Sequence, residues 1–287
     1  MQTVSVIVSA ILINTVLLNP SHASSSPDAC QPTALITGYW PPTNEMLRAW
    51  TPGDAWQGNN WHDLGYSVYA HFPEFPPDGD PTNDGIGDPG SVGRGELTVD
   101  YQQTSADFWR LIDHYQPQVL ITTSRGGDIE WELEALEGGH GPQIQTDPSQ
   151  DWRSDRHGEA FYPTQNTVTL RTWRAITMFR GGVSLSSKLP LARLQAELAT
   201  LDRLAVKIDR AGTSGNYLSG FIALHGLYYN RIEPNNLAAG HIHVGRRVSV
   251  IDATAMMHAT LDIVLREHPS VQACPEAAPA QPSPAQP

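Results

Sequence analysis

Leu204-Ala205-Val206-Lys207-Ile208-Asp209, then Ala211-Gly212-Thr213-Ser214-Gly215-Asn216-Tyr217-Leu218-Ser219-Gly220, then Phe221-Ile222-Ala223-Leu224-His225-Gly226-Leu227-Tyr228-Tyr229: these three runs decide the fold. The first is an apolar, strand-like segment. The last is a continuous apolar run that reads as a buried helix, and the glycines and hydroxyls between them supply turn and cap chemistry. The whole reads strand, tight turn, helix, with Ser219 in or near the first helical turn. Free backbone N–H groups and the positive end of the helix dipole gather there. Ser219 is therefore either a helix cap, the commoner role for serine at that place, or a nucleophile.

Working outward, strand and helix signals alternate along the chain. Thr33-Ala34-Leu35-Ile36-Thr37 is a short β-rich run expected in the centre of a sheet, followed by the loop Gly38-Tyr39-Trp40-Pro41-Pro42 and a short helix from Thr43. Tyr66 to Phe72 alternates as a strand. Thr104 to Tyr115 is an amphipathic helix with Thr104 or Ser105 as its cap. Val119 to Thr123 is a buried strand ending in Ser124-Arg125-Gly126-Gly127. Leu191 to Leu201 and Ser249 to His268 are further helices. This order implies an α/β fold: a three-layer sandwich with a mainly parallel central sheet, of the phosphorylase/hydrolase kind. Ligands in such folds bind at the C-terminal ends of the strands. Tyr39, Trp40 and Pro42 lie at one such end. Arg125, Gly126 and Gly127 lie at another, where backbone amides from Ser124 onward are candidates for an oxyanion hole.

The 287 residues carry a formal charge of −12 with no basic cluster, which argues against a nucleic-acid partner. Residues 1–23 have the apolar run and small-x-small end of a secretory signal peptide, so export and no membrane span in the mature form are expected. Residues 24–33 read as a linker, 34–270 as one α/β domain, and the Pro/Ala-rich 275–287 as a disordered tail. Cys30 and Cys274 flank the fold, either as a disulfide or as free thiols. The acidic loop around Asp78 to Asp88 reads as solvated, with calcium as the weaker alternative. Residues 138–166 read as an irregular excursion over the site.

Two constellations carry chemistry. Ile129-Glu130-Trp131-Glu132-Leu133-Glu134 puts three glutamates on one strand face, either as the wet face of an edge strand or with Glu132 turned toward a site. Gly240-His241-Ile242-His243-Val244-Gly245 is a short strand whose two histidines share a face. Ser219, His243 and Glu132 make a complete nucleophile, base and orienting carboxylate. The rival is a metal site on His241 and His243 with His225, His140 or an acid, which no complete ligand set supports. No cofactor and no resident metal are expected.

The chain is similar to pyroglutamyl peptidase I (pyrrolidone-carboxylate peptidase), a family of cysteine peptidases with a Glu-Cys-His triad. Leu35-Ile36-Thr37-Gly38-Tyr39-Trp40-Pro41 resembles the family's Val-Thr-Gly-Phe-x-Pro-Phe loop. Gly126-Gly127 through Glu132 resembles the Gly-rich turn and the Ile-x-Val-Glu segment, and Lys188-Leu189-Pro190 resembles Thr-Leu-Pro. Ala211-Gly212-Thr213 through Ser219 resembles Ala-Gly-Thr-Tyr-x-Cys-Asn, and Gly240-His241-Ile242-His243-Val244 resembles Gly-Phe-Ile-His-Val-Pro. The shared order runs over about residues 34–266. Ser219 stands at the family's cysteine, Ser214-Gly215 are extra, Pro42 replaces a stacking Phe, and Asp128 replaces an Arg. The resemblance implies a hydrolase acting on a small peptide or amide, with Ser219, His243 and Glu132 catalytic and Tyr39, Trp40, Pro42, Arg125, Gly126 and Gly127 around the substrate. It leaves room for a homo-oligomer. The alternatives are a binding protein on the same fold with the chemistry lost, or a metal-dependent hydrolase. A serine in place of a thiol suits an oxidising compartment, where a catalytic cysteine is vulnerable.

Overall fold

The computed structural model describes residues 31–75, 93–137, 184–211 and 218–270. The expected signal peptide, both cysteines, the acidic loop, the excursion from 138, His140, the turn at 212–217 and the C-terminal tail lie outside them. Six strands form a mixed, mostly parallel sheet: β1 (Thr33–Thr37), β2 (Ser67–His71), β3 (Val119–Gly126), β4 (Glu130–Glu134), β7 (Ala205–Asp209) and β8 (Ala238–Gly245), in the order β2-β1-β3-β8-β4-β7. Within this sheet only the β4–β8 pairing is antiparallel. A short ladder joins β5 (Leu136–Glu137) to β6 (Leu185–Ser186). The helices are α1 (Tyr101–Tyr115), α2 (Leu191–Ala199), α3 (Leu218–Ile232) and α4 (Val250–Glu267), with 3-10 turns at Glu45–Trp50 and Trp61–Asp63. Among the described residues no helix is long and apolar enough to cross a membrane.

The alternation of side chains along each strand splits the core in two. On one face Ala34, Ile36, Ile121, Trp131, Leu133, Ile242 and Val244 pack against α2, α4 and the first 3-10 turn. On the other, Leu35, Leu120 and Ala239 pack against Phe108 and Leu111 of α1 and Phe221, Ile222 and Leu224 of α3. Helix α3 is covered by the sheet on one side and by α1 on the other, which is why its sequence is apolar nearly all round. Each fully buried Phe or Leu there contributes about 1.5–3 kcal/mol.

Three local expectations change. Helix α1 begins before Thr104, because Asp100 Oδ1 accepts the Gln103 N–H at 3.0 Å and acts as the cap. Thr104 and Ser105 are buried within the helix; Ser105 Oγ instead meets His225 Nε2 at 2.7 Å. Strand β3 continues through Gly126, paired with Gly245, so the presumed loop at Ser124 is ladder. Strand β4 is not an edge. It lies between β8 and β7, and the exposed pattern of an edge belongs to β7.

Candidate active site

β8 carries the two histidines to the C-terminal part of the sheet, on the face that α1 and α3 cover. Gly240 lets Leu189 approach: a Cβ there would lie 2.5 Å from the Leu189 side chain. His241 is fully buried, with Nδ1 at 2.8 Å from Thr122 Oγ1 and Nε2 at 3.0 Å from Ser124 Oγ. Burial, and secondly the neighbouring His243, hold it well below the usual imidazole range, so it is neutral. Both nitrogens are engaged by hydroxyls, and the metal-type donors that come together among the described residues include His243 but not His241. His225 sits apart, between Ser105 and the Phe221 carbonyl.

His243 lies one step further along the same face, its ring 4.6 Å from that of His241 and nearly perpendicular to it. Its Nδ1 is 2.6 Å from Glu134 Oε1, and both side chains are buried. The sequence reading assigned this contact to Glu132. Register explains the difference: Glu132 is directly opposite His243 and Glu134 opposite His241, so the His243 ring reaches the diagonal neighbour. Because a carboxylate accepts, Nδ1 carries the proton and Nε2 presents the basic lone pair. Burial pushes the Glu134 carboxyl up, against the His243 hydrogen bond, and Asp209 and Glu132 push the same way as burial. The Lys207 ammonium, on the strand beyond, is paired with Glu130.

Helix α3 packs across β3 and β8. Tyr229 donates to the Pro117 carbonyl at 3.4 Å, and Gly226 lies against Leu120 and Thr122, so the helix descends as β3 ascends. Seven residues of helix from Gly226 back to Ser219 span about 10 Å. That equals about three strand residues, which reaches the level of Ser124 and its rung partner His243. Ser219 is the second residue of α3 and is 8% exposed. The N–H groups of this first turn have no partner within the helix.

The proposed substrate walls lie at the same end. Tyr39 is buried and donates to Thr104 Oγ1 at 3.1 Å, while its own N–H bonds Thr43 Oγ1 at 3.1 Å. Trp40 is buried against Phe75, with the Arg125 guanidinium over its ring at 5.4 Å. Pro42 is buried, and its carbonyl accepts the Met46 N–H at 3.0 Å. Gly126 packs on His243, and the Gly127 carbonyl accepts the Arg246 N–H at 3.2 Å. With β3 laddered to β8 through Gly126, the backbone amides from Ser124 to Gly126 belong to the sheet rather than to a loop. Thr37 Oγ1, Trp40 Nε1 and Glu134 Oε2 are buried with no hydrogen-bond partner among the described residues.

The described residues thus hold a buried imidazole–carboxylate pair on β8 and β4 and a buried serine at the start of α3. The roles of three side chains here were not read from the sequence. Glu134 shared its strand face with two other glutamates and carried no signal of its own. Thr122 was read on a strand and Ser124 at the start of the loop after it, and only the pairing of β3 with β8 brings both hydroxyls to His241.

No protein-family model matches this sequence, and no curated protein matches it at the sequence level. Solved structures do match in fold. Pyrrolidone carboxyl peptidase from Pyrococcus furiosus, solved together with its Cys-free mutant, has a TM-score of 0.56 at 13% identity, over 82% of this chain and 99% of that one. A point mutant of the P. furiosus peptidase has 0.55 at 13% identity with the same coverage. Pyrrolidone carboxyl peptidase from Thermococcus litoralis has 0.53 at 16% identity, over 82% of this chain and 94% of that one. The chain therefore has a pyrrolidone carboxyl peptidase-like fold.

Proposed function

We propose that this chain is an exported hydrolase of the pyrrolidone carboxyl peptidase type that cleaves an amide or peptide bond with a serine nucleophile. Ser219 Oγ attacks the acyl carbon and His243 Nε2 takes its proton. Glu134 holds the imidazole in the correct tautomer and stabilises the imidazolium. The proton then passes to the departing amine, and water releases the acyl group by the reverse sequence of transfers. The backbone amides of Ser219 and Gly220, at the positive end of α3, receive the developing oxyanion. Glu134 replaces Glu132 as the orienting carboxylate. The observation that carries this reading is the buried 2.6 Å contact between His243 Nδ1 and Glu134. The fold shared with peptidases supports the reaction class, and the N-terminal sequence supports export.

A fluorophosphonate probe with peptide mapping tests the mechanism. Covalent label on Ser219, abolished by Ser219→Ala, is the expected result. A folded protein with no label at Ser219 and no hydrolysis across a panel of peptide and cyclic amides would remove the serine mechanism.

A further inference from the structure

Two members of the proposed triad, His243 and Glu134, also belong to a cluster of metal-type donors completed by Glu132. Glu132, Glu134 and His243 each offer a ligand atom, and these atoms lie within 4.8 Å of one another. Glu134 is 2% exposed and spends only Oε1 on His243; its Oε2 is buried and accepts nothing from the described residues. A buried carboxylate oxygen without a partner is costly, and such atoms often mark an ion that completes the site. The backbone of Glu132 is in the sheet ladder, while its carboxylate makes no hydrogen bond or ion pair among the described residues. The nearest cation on that face, Lys207, is the residue opposite Glu132 on β7, yet its ammonium is spent on Glu130. Asp209, opposite Glu134, adds further negative potential.

We propose that Glu132, Glu134 and His243 bind a divalent transition-metal ion of the zinc class. Two carboxylates and one imidazole fit zinc and its first-row neighbours, whereas calcium takes six to eight oxygens. Bonds of about 2.0–2.2 Å place tetrahedral donors roughly 3.3–3.6 Å apart, so side-chain rotation closes the cluster without moving the backbone. The β4–β8 pairing fixes that backbone, with Glu132 directly opposite His243. Coordination at Nδ1 moves the ring proton to Nε2, uses the freed Nδ1 lone pair and replaces the Nδ1–H contact to Glu134. A bound ion and proton transfer by His243 therefore exclude each other, and the ion acts as an antagonist. The binding half of this proposal stands whether or not Ser219 is a nucleophile.

The test is calorimetric titration of zinc chloride into the full chain after chelator treatment. One equivalent should bind with micromolar or tighter affinity. Glu132→Gln and His243→Ala should each weaken it roughly tenfold or more, while Glu130→Gln, on the same face but paired with Lys207, should not. Cobalt(II) added to the unaltered chain should give the strong visible bands of a four-coordinate ion. Binding weaker than millimolar, a pale six-coordinate cobalt spectrum, or unchanged affinity in Glu132→Gln would each overturn the site. None of these readouts depends on hydrolysis.

Discussion

Replacing Gly126 by alanine should strike the candidate site through one methyl group. An ideal Cβ at Gly126 sits 2.6 Å from His243 Cβ and 3.4 Å from the His243 carbonyl carbon. Carbon atoms rest at about 3.5–4.0 Å, so the two must part by about 1 Å. The obstacle is the root of a side chain rather than a flexible tip. The strands are paired continuously from Val119↔Ala238 to Gly126↔Gly245, which prevents a local retreat. Overpacking of this kind costs about 1–3 kcal/mol. For a domain of this size that lowers the melting temperature by roughly 2–12 °C. The retreat of His243 also lengthens its 2.6 Å contact with Glu134, so labelling of Ser219 should slow as well. Gly226→Ala is the control: its Cβ would meet Thr122 Cγ2 at 3.4 Å and Leu120 Cδ2 at 3.5 Å, which is ordinary contact. In mid-helix that change is neutral or stabilising by up to about 1 kcal/mol. Urea denaturation with both variants reads the difference. A Gly126→Ala stability within about 0.5 kcal/mol of wild type would refute the close packing of His243 on β3.

The two neighbouring glutamates can be told apart kinetically. Glu134→Gln should slow fluorophosphonate labelling of Ser219 by about a hundredfold or more, through loss of the charge that orients and stabilises the imidazolium, and Glu132→Gln by clearly less. The opposite ranking would return the orienting role to Glu132. Away from the site, the hydrogen bond from His71, with help from Arg110, holds the Glu96 carboxyl at about 2, against an ordinary value of 4.5. A depressed folded-state value means stability that is complete above pH 4.5 and lost as pH falls toward 2. The side chain is 37% exposed, so solvent screening reduces the gain to about 1–2 kcal/mol. Acid denaturation curves of wild type and Glu96→Gln should converge over that window; curves that stay parallel across it would contradict the assignment.

Much of the site was legible because side-chain direction is a local property. Alternation alone put Glu130, Glu132 and Glu134 on one face and His241 with His243 on another. The apolar run from Phe221 marked a buried helix. The turn chemistry around Ser219 placed it at a helix start, where the structure has it as the second residue of α3.

What the sequence determined by itself was the order of strands and helices, the face each side chain takes, and the end of the sheet where chemistry collects. Those follow from periods of about 2.0 and 3.6 residues, which are written into neighbouring positions. Tertiary structure alone decided which glutamate meets His243, that β4 is an interior strand, and that His241 is locked between two hydroxyls. Each of these depends on pairing between segments about a hundred residues apart. A shift of two residues in the β4–β8 register would keep every face and every periodicity, yet give His243 a different carboxylate.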